Sequence, residues 1–212
     1  MKVLIETIRD RSDLIIDSFM QHIFLSFVAL FIAIIISVPL GMFVSKNRSL
    51  AEPIIGVTAV LQTIPSLALF GFLVPIIGIG SKTALVALVI YALLPIVRNV
   101  YTGITSVDQS IIEAGSGMGM TPNQVLFKIE LPIALPFIMA GIRTATVLTV
   151  GIATLATFVG AGGLGDIIYR GLQSYNNTLV FAGAVPVALL AILFDVLLKF
   201  VEKGVTPKGL KI

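Results

Sequence analysis

Arg143, in "GIRTATVLTV", and Asp195, in "AILFDVLLKF", are the two ionisable residues set most clearly inside apolar runs. A charge in hydrocarbon is costly, so each must face a bundle interior, line a watery cavity or find a partner of opposite sign. The chemistry they offer is either an intramembrane pair that orders two helices or a contact along a solute path. Glu113 suggests acid–base work, but no second acid, nucleophile or metal ligand accompanies it at useful spacing, and an enzyme needs such a set. With no cysteine and one histidine, His22, the chain offers neither a thiol site nor a histidine metal cluster. "GAGGLG", Gly160 to Gly165, spells G-x-G-x-x-G. That pattern holds a dinucleotide only between a strand and a helix of a soluble βαβ unit, whereas here a long apolar run precedes it. It reads instead as a turn whose glycines permit close approach of helices or of a docked partner, with Asp166 capping the short helix that follows. The expectation is no catalytic residue, no metal site and no cofactor in this chain.

The elements that position these residues are membrane helices. Hydrophobic residues make up 57% of the 212 and charged residues 12%, against roughly 25% charged in ordinary soluble domains; mean hydropathy is +1.08. Runs of about 20 apolar residues cross a hydrocarbon core as helices. Five are present: His22 to Val44, Pro53 to Ile77, Thr83 to Gly103, Ile133 to Val159 and Thr178 to Phe200. The expected fold class is all-α integral membrane, one domain over residues 1–212 with about five transmembrane helices. Pro39, Pro65, Pro75, Pro95, Pro136 and Pro186 lie in or at the ends of these runs, where each removes a backbone donor and favours a kink. Residues 1–21 mix charges with apolar residues at mostly helical spacing and read as an amphipathic segment at the interface. That mixture of four acids and three bases in the first twenty residues is unlike a secretory signal, so nothing is expected to be cleaved.

Five spans put the termini on opposite sides. Lys46, Arg48, Arg98, Lys128, Lys199, Lys203, Lys208 and Lys211 fall on one face, and Lys2, Arg9, Arg11, Lys82 and Arg170 on the other. By the positive-inside rule the richer face, with the C-terminus, is cytoplasmic and the N-terminus is outside. A net charge of +3 without a dense basic face points to membrane orientation and away from nucleic acid.

Residues 104–132 interrupt the apolar pattern on that richer face. Asp108 is placed to cap a helix carrying Ile111, Ile112, Ala114 and Met118, and Gly117 and Gly119 then let the backbone turn. Thr121, Pro122 and Gln124 form a capping box that restarts a helix bearing Val125, Leu126 and Ile129, which Pro132 is expected to close. Met118 and Met120 form an exposed apolar tip. Such a tip reads either as a docking surface or as a loop packed on this chain's own spans.

Glu113 and Ala114, Gly119, Ile129, and then Leu131 and Pro132 resemble, in type and spacing, the cytoplasmic "EAA" loop of permease subunits in bacterial ABC importers. Gly115 departs from the alanine usual there, which implies a more flexible helix with the same layout. In that family the loop is a coupling helix seated in a cleft of a cytosolic ATPase. The resemblance therefore assigns ATPase contact to Glu113, Ala114, Gly115, Met118, Gly119, Met120, Thr121, Ile129, Leu131 and Pro132. It also implies an ATPase dimer, a second permease (identical or paralogous) and an extracellular solute-binding protein as partners. The chain lacks the P-loop pattern, so ATP hydrolysis falls to another chain.

"GMGMTPNQVLFKIELPIALPFIMAGIRTATV" and "LATFVGAGGLGDII" are similar to the permeases of osmoprotectant importers, which take up glycine betaine, carnitine or choline. Methionine-type permeases share the plan and are the nearest alternative; a channel or scaffold outside the ABC class is the other. A quaternary amine disfavours contact with Arg143, which leaves Arg143 and Asp195 as a structural pair. Aromatic faces hold such cations, and Phe70, Phe72, Tyr91 and Phe158 are the expected pathway-lining residues. With no tryptophan and only four tyrosines, the chain is poorly supplied for a tight cage.

Overall fold

The computed structural model describes residues 11–206, and these are helical with short connections and no strand. Helix α1 runs Ser12–Lys46, α2 Arg48–Thr63, α3 Ser66–Ile77, α4 Ser81–Thr105, α5 Gln109–Gly117 and α6 Pro122–Val125. A π turn, Leu126–Glu130, joins α6 to α7, Leu131–Ala153; a 3₁₀ turn, Thr154–Val159, follows, then α8, Leu164–Gln173, and α9, Asn177–Val205. Four helical stretches are long and apolar enough to span a membrane, and the bent pair α2/α3 makes a fifth. Residues 1–10 of the expected amphipathic segment lie outside the described residues. Residues 12–21 are one helix with the first span.

The core forms where α4 packs between α1 and α7. Its inward positions are small or branched: Ala84, Ala87, Leu88, Ala92, Ile96, Val97 and Val100 are all fully buried. Lipid tails are as apolar as leucine, so such helices associate by close packing of small residues rather than by burial alone. Gly141 shows the consequence, since a Cβ there would stand 2.6 Å from the Asn99 Cβ and 2.8 Å from the Pro95 carbonyl oxygen. The outer faces of α1 and α9 carry Phe27, Phe31, Phe181, Ile192 and Phe200, all exposed.

Two prolines behave differently from the sequence expectation. The run Pro53 to Ile77 is not a straight span: α2 and α3 meet at 98° across Ile64 and Pro65. Ile64 is extended (φ −63°, ψ 127°), as a residue before proline prefers, and the Tyr91 hydroxyl donates to its freed carbonyl. Pro132, in contrast, closes nothing. The Leu131 N–H reaches back to the Leu126 carbonyl, five residues away, and this wide turn lets Pro132 sit in the first turn of α7, where its missing donor costs nothing. The loop helix and the fourth span are thus one continuous helical stretch, Pro122–Val159.

Candidate functional site

The loop between α4 and α7 folds as a two-helix plug. Asp108 caps α5 by accepting from the Ser110 N–H at 2.8 Å, and that bond, with help from the Ser110 hydroxyl, holds its carboxyl below the usual range. The chain turns at Gly119, whose φ of +84° suits glycine. Thr121 and Gln124 then complete the reciprocal capping box: the Thr121 N–H donates to Gln124 Oε1 at 2.9 Å, and the Gln124 N–H to Thr121 Oγ1 at 3.4 Å.

Gly115 joins the two halves. It is buried, and a Cβ there would lie 2.5 Å from Ile129 Cδ1 and 3.3 Å from the Met120 sulfur. The glycine provides space for helix contact rather than flexibility, which corrects the expectation drawn from its departure from alanine. Met120 accordingly folds half-buried over Gly115, so the exposed tip is Met118 alone, at 75% exposure. Glu113, Ala114, Gly119 and Thr121 are exposed, Ile129, Leu131 and Pro132 half-buried. Ile111 and Phe127 add apolar surface to the same plug; Phe127 drew no attention in the sequence because one phenylalanine in an apolar helix carries no signal.

The plug is anchored by an ion pair. Lys46, the last residue of α1, donates to both carboxylate oxygens of Glu130, at 3.0 and 2.8 Å, and Glu130 is almost wholly buried at the π turn. Neither residue stood out in the sequence, where each is an ordinary charge at the edge of an apolar run.

Between α7 and α9 the structure brings Arg143 and Asp195 together. Arg143 donates from Nε and Nη2 to the two Asp195 oxygens at 2.8 and 3.0 Å. Its Nη1 reaches Glu202 at 3.2 Å. Glu202 lies beyond the run that defined the fifth span, yet two helical turns separate it from Asp195, so both face Arg143. That spacing was the available signal.

At the opposite end the glycine turn is clamped by α1. The Gly163 N–H donates to Gln21 Oε1 at 3.1 Å, and buried His22 donates from Nε2 to the Val150 carbonyl at 3.1 Å. Thr154, at the start of the 3₁₀ turn, bonds to Gly151 and Ile152 instead of Val150, so His22 supplies the donor that this carbonyl lost. Asp166 does not cap α8: Gly163 holds the cap position without a side-chain bond, and Asp166 accepts from the Thr157 hydroxyl.

The four aromatic residues expected along a path are dispersed. Phe70 and Tyr91 sit in one core cluster, 1% and 4% exposed, whereas Phe72 and Phe158 are exposed. Phe158 stacks edge-on against Tyr169 at 5.1 Å. Among the described residues no group of three metal-ligating side chains is gathered. The arrangement offers an apolar plug continuous with a long spanning stretch, Pro122–Val159.

Comparisons match this architecture. The family described as "Binding-protein-dependent transport system inner membrane component" matches residues 33–207. The glycine betaine/carnitine/choline transport system permease protein OpuCB of Bacillus subtilis (strain 168) is 46% identical over 191 residues, covering 90% of this chain and 88% of that one. The carnitine transport permease protein OpuCD of Listeria monocytogenes serotype 1/2a (strain 10403S) is 45% identical over 208 residues, covering 98% and 93%. Among solved structures, an inward-facing conformation of the MetNI methionine ABC transporter superposes with a TM-score of 0.84 at 27% identity, covering 93% of this chain and 99% of that one. With its bundle, its plug and these relatives in agreement, the chain belongs to the binding-protein-dependent transport system inner membrane component family and is a multi-pass permease subunit of an ABC importer.

Proposed function

We propose that this permease is the translocation subunit of an ATP-driven importer for quaternary-amine osmoprotectants: glycine betaine, carnitine or choline. The observation that carries the mechanism is the continuity of the plug with a spanning helix. The exposed apolar tip at Met118 ends α5, and α5 packs through Gly115 onto Ile129 of a stretch that runs unbroken from Pro122 to Val159, so a push on the tip passes through that contact to the membrane without a hinge at Pro132. The pusher is a cytosolic ATPase dimer, docked on the plug through Met118 and the exposed residues around it. A second permease, identical or paralogous, and an extracellular solute-binding protein complete the assembly. ATP-driven closure of the ATPases then changes which side the pathway faces.

The solute class rests on the relatives: those named for glycine betaine, carnitine or choline transport reach 46% identity, against 27% for the methionine transporter. Charge supports placing the plug in the cytoplasm, with the N-terminus outside. Lys46, Arg48 and Lys128 lie at the plug end and Arg11, Lys82 and Arg170 at the other. Phe72 and Phe158 line the pathway, with Phe70 and Tyr91 packed behind it. Tight selection belongs to the receptor, because a deep well on the path slows release.

The test is uptake of radiolabelled glycine betaine by proteoliposomes holding permease and ATPase, with the receptor added. Uptake that needs both ATP and receptor, and that excess methionine leaves unchanged, supports the reading. Uptake of methionine instead overturns the solute class, and uptake independent of ATP overturns the importer.

A further inference from the structure

A cavity lies away from the plug, at the end where α1, the start of α4 and α8 meet. Its volume is about 710 Å³, within the roughly 300–1,000 Å³ of small-molecule sites. Its wall is more polar than an open groove between membrane helices needs. Gln21 and Phe24 line it from α1, Thr157 from the 3₁₀ turn, and Asp166, Tyr169 and Arg170 from α8.

We propose that this cavity is a low-affinity site for a trimethylammonium zwitterion, with Asp166 and the Tyr169 and Phe24 rings holding the cationic end and Arg170 the carboxylate. The proposal rests on the osmoprotectant reading above and locates a site for that solute in this chain.

Asp166 has one carboxylate oxygen engaged by the Thr157 hydroxyl; the other has no protein donor among the described residues. A quaternary ammonium donates no hydrogen bond, so it suits a free carboxylate edge flanked by aromatic faces. Tyr169 is held for that purpose from two sides: Phe158 packs against its ring, and Gln173 donates to its hydroxyl at 2.7 Å. Arg170 stands one helical turn after Asp166, which places both on one face of α8. Among the described residues the two do not form an ion pair, nor does Arg170 form one elsewhere. Opposite charges side by side and unneutralised on a cavity wall match a ligand that carries both charges. The clamp from Gln21 to Gly163 fixes the floor of the cavity against α1.

The stacking and charge terms are each modest and the cavity is open to one side, so affinity falls in the millimolar range. That agrees with a receptor that does the tight binding. A choline-phospholipid headgroup shares this chemistry, and the experiment separates the two sources.

The measurement is saturation-transfer NMR on the methyl protons of glycine betaine and of choline, using the permease–ATPase assembly without receptor in phosphatidylglycerol nanodiscs. The expected result is a saturable millimolar signal for both. Asp166→Asn, which keeps an acceptor for Thr157, weakens both at least fivefold. Arg170→Gln weakens glycine betaine at least fivefold more than choline, which has no carboxylate. Absence of a saturable signal, or a signal indifferent to both substitutions, overturns the site. If replacing a third of the lipid with phosphatidylcholine abolishes the glycine betaine signal, the cavity is a lipid site and the solute assignment falls. Receptor-dependent uptake by the same wild-type assembly separates the two readings. Uptake without a cavity signal rejects the site alone, whereas no quaternary-amine uptake at all rejects the osmoprotectant reading and the site with it.

Discussion

Lys46 and Glu130 stand 84 residues apart in the chain and meet at the π turn that joins the plug to α7, with both Glu130 oxygens bonded by the one ammonium group. Glu130 is the buried partner and Lys46 the half-exposed one. The pair therefore ties the end of α1 to the junction between the plug and α7. Removing the lysine strands a buried carboxylate. Lys46→Met is expected to lower stability in detergent by about 1–3 kcal/mol, and Lys46→Met with Glu130→Met to recover part of that loss. Additive losses in thermal melts of the single and double variants would argue against the pair.

Arg143 bonds two carboxylates, so the partners are unequal. Arg143→Met leaves Asp195 and Glu202 facing each other and is expected to cost more, about 1–3 kcal/mol, than Asp195→Asn, after which Glu202 still holds the guanidinium. The double variant recovers only partly, because Glu202 stays unpaired. Folded yield and melting temperature of the three variants check the order.

At Gly115 the structure predicts a steric penalty rather than a loss of flexibility. Gly115→Ala sets a Cβ 2.5 Å from Ile129 Cδ1, the movable end of a side chain, so the expected cost is about 1 kcal/mol. Adding Ile129→Val removes that methyl and is expected to return the plug's protease resistance toward wild type. An unchanged or worsened resistance in the double variant rejects the packing account.

Asp108 predicts a local pH dependence. Its folded-state pKa lies below the ordinary value because the ionised form accepts from Ser110. Its contribution to α5 is thus present above the unfolded value of about 3.9 and is lost as pH falls through the lower folded value. Amide exchange at residues 109–112, corrected for intrinsic rate, is expected to speed up in that acidic window, and Asp108→Asn to flatten the response.

Much of this architecture was legible in the sequence. Apolar length alone marks the spans, and local chemistry marks Asp108, Gly119 and the Thr121–Gln124 box, because a cap or a left-handed turn depends on neighbours a few residues away. What stayed hidden depends on contacts distant in sequence. Pro65 breaks a helix and Pro132 does not, although both follow apolar residues. The break at Pro65 is stabilised by a hydroxyl from Tyr91, and continuity at Pro132 by a π turn under the Lys46–Glu130 bond. His22 read as a lone histidine until the 3₁₀ turn supplied a carbonyl in need of a donor. The role of Gly115 needed Ile129 beside it.

We propose that an ATPase drives this permease through the plug's tip at Met118, and the absence of cysteine from the chain allows a direct test. Met118→Cys gives the protein one reactive thiol, to which a short photo-crosslinker is attached in membranes containing the co-expressed ATPase. The expected result is a cross-link to the ATPase subunit whose yield changes between ATP-bound and nucleotide-free states, and which Gly119→Asp abolishes while membrane insertion is retained. Cross-linking confined to lipid or to the permease itself, at normal levels of assembled ATPase, would contradict it.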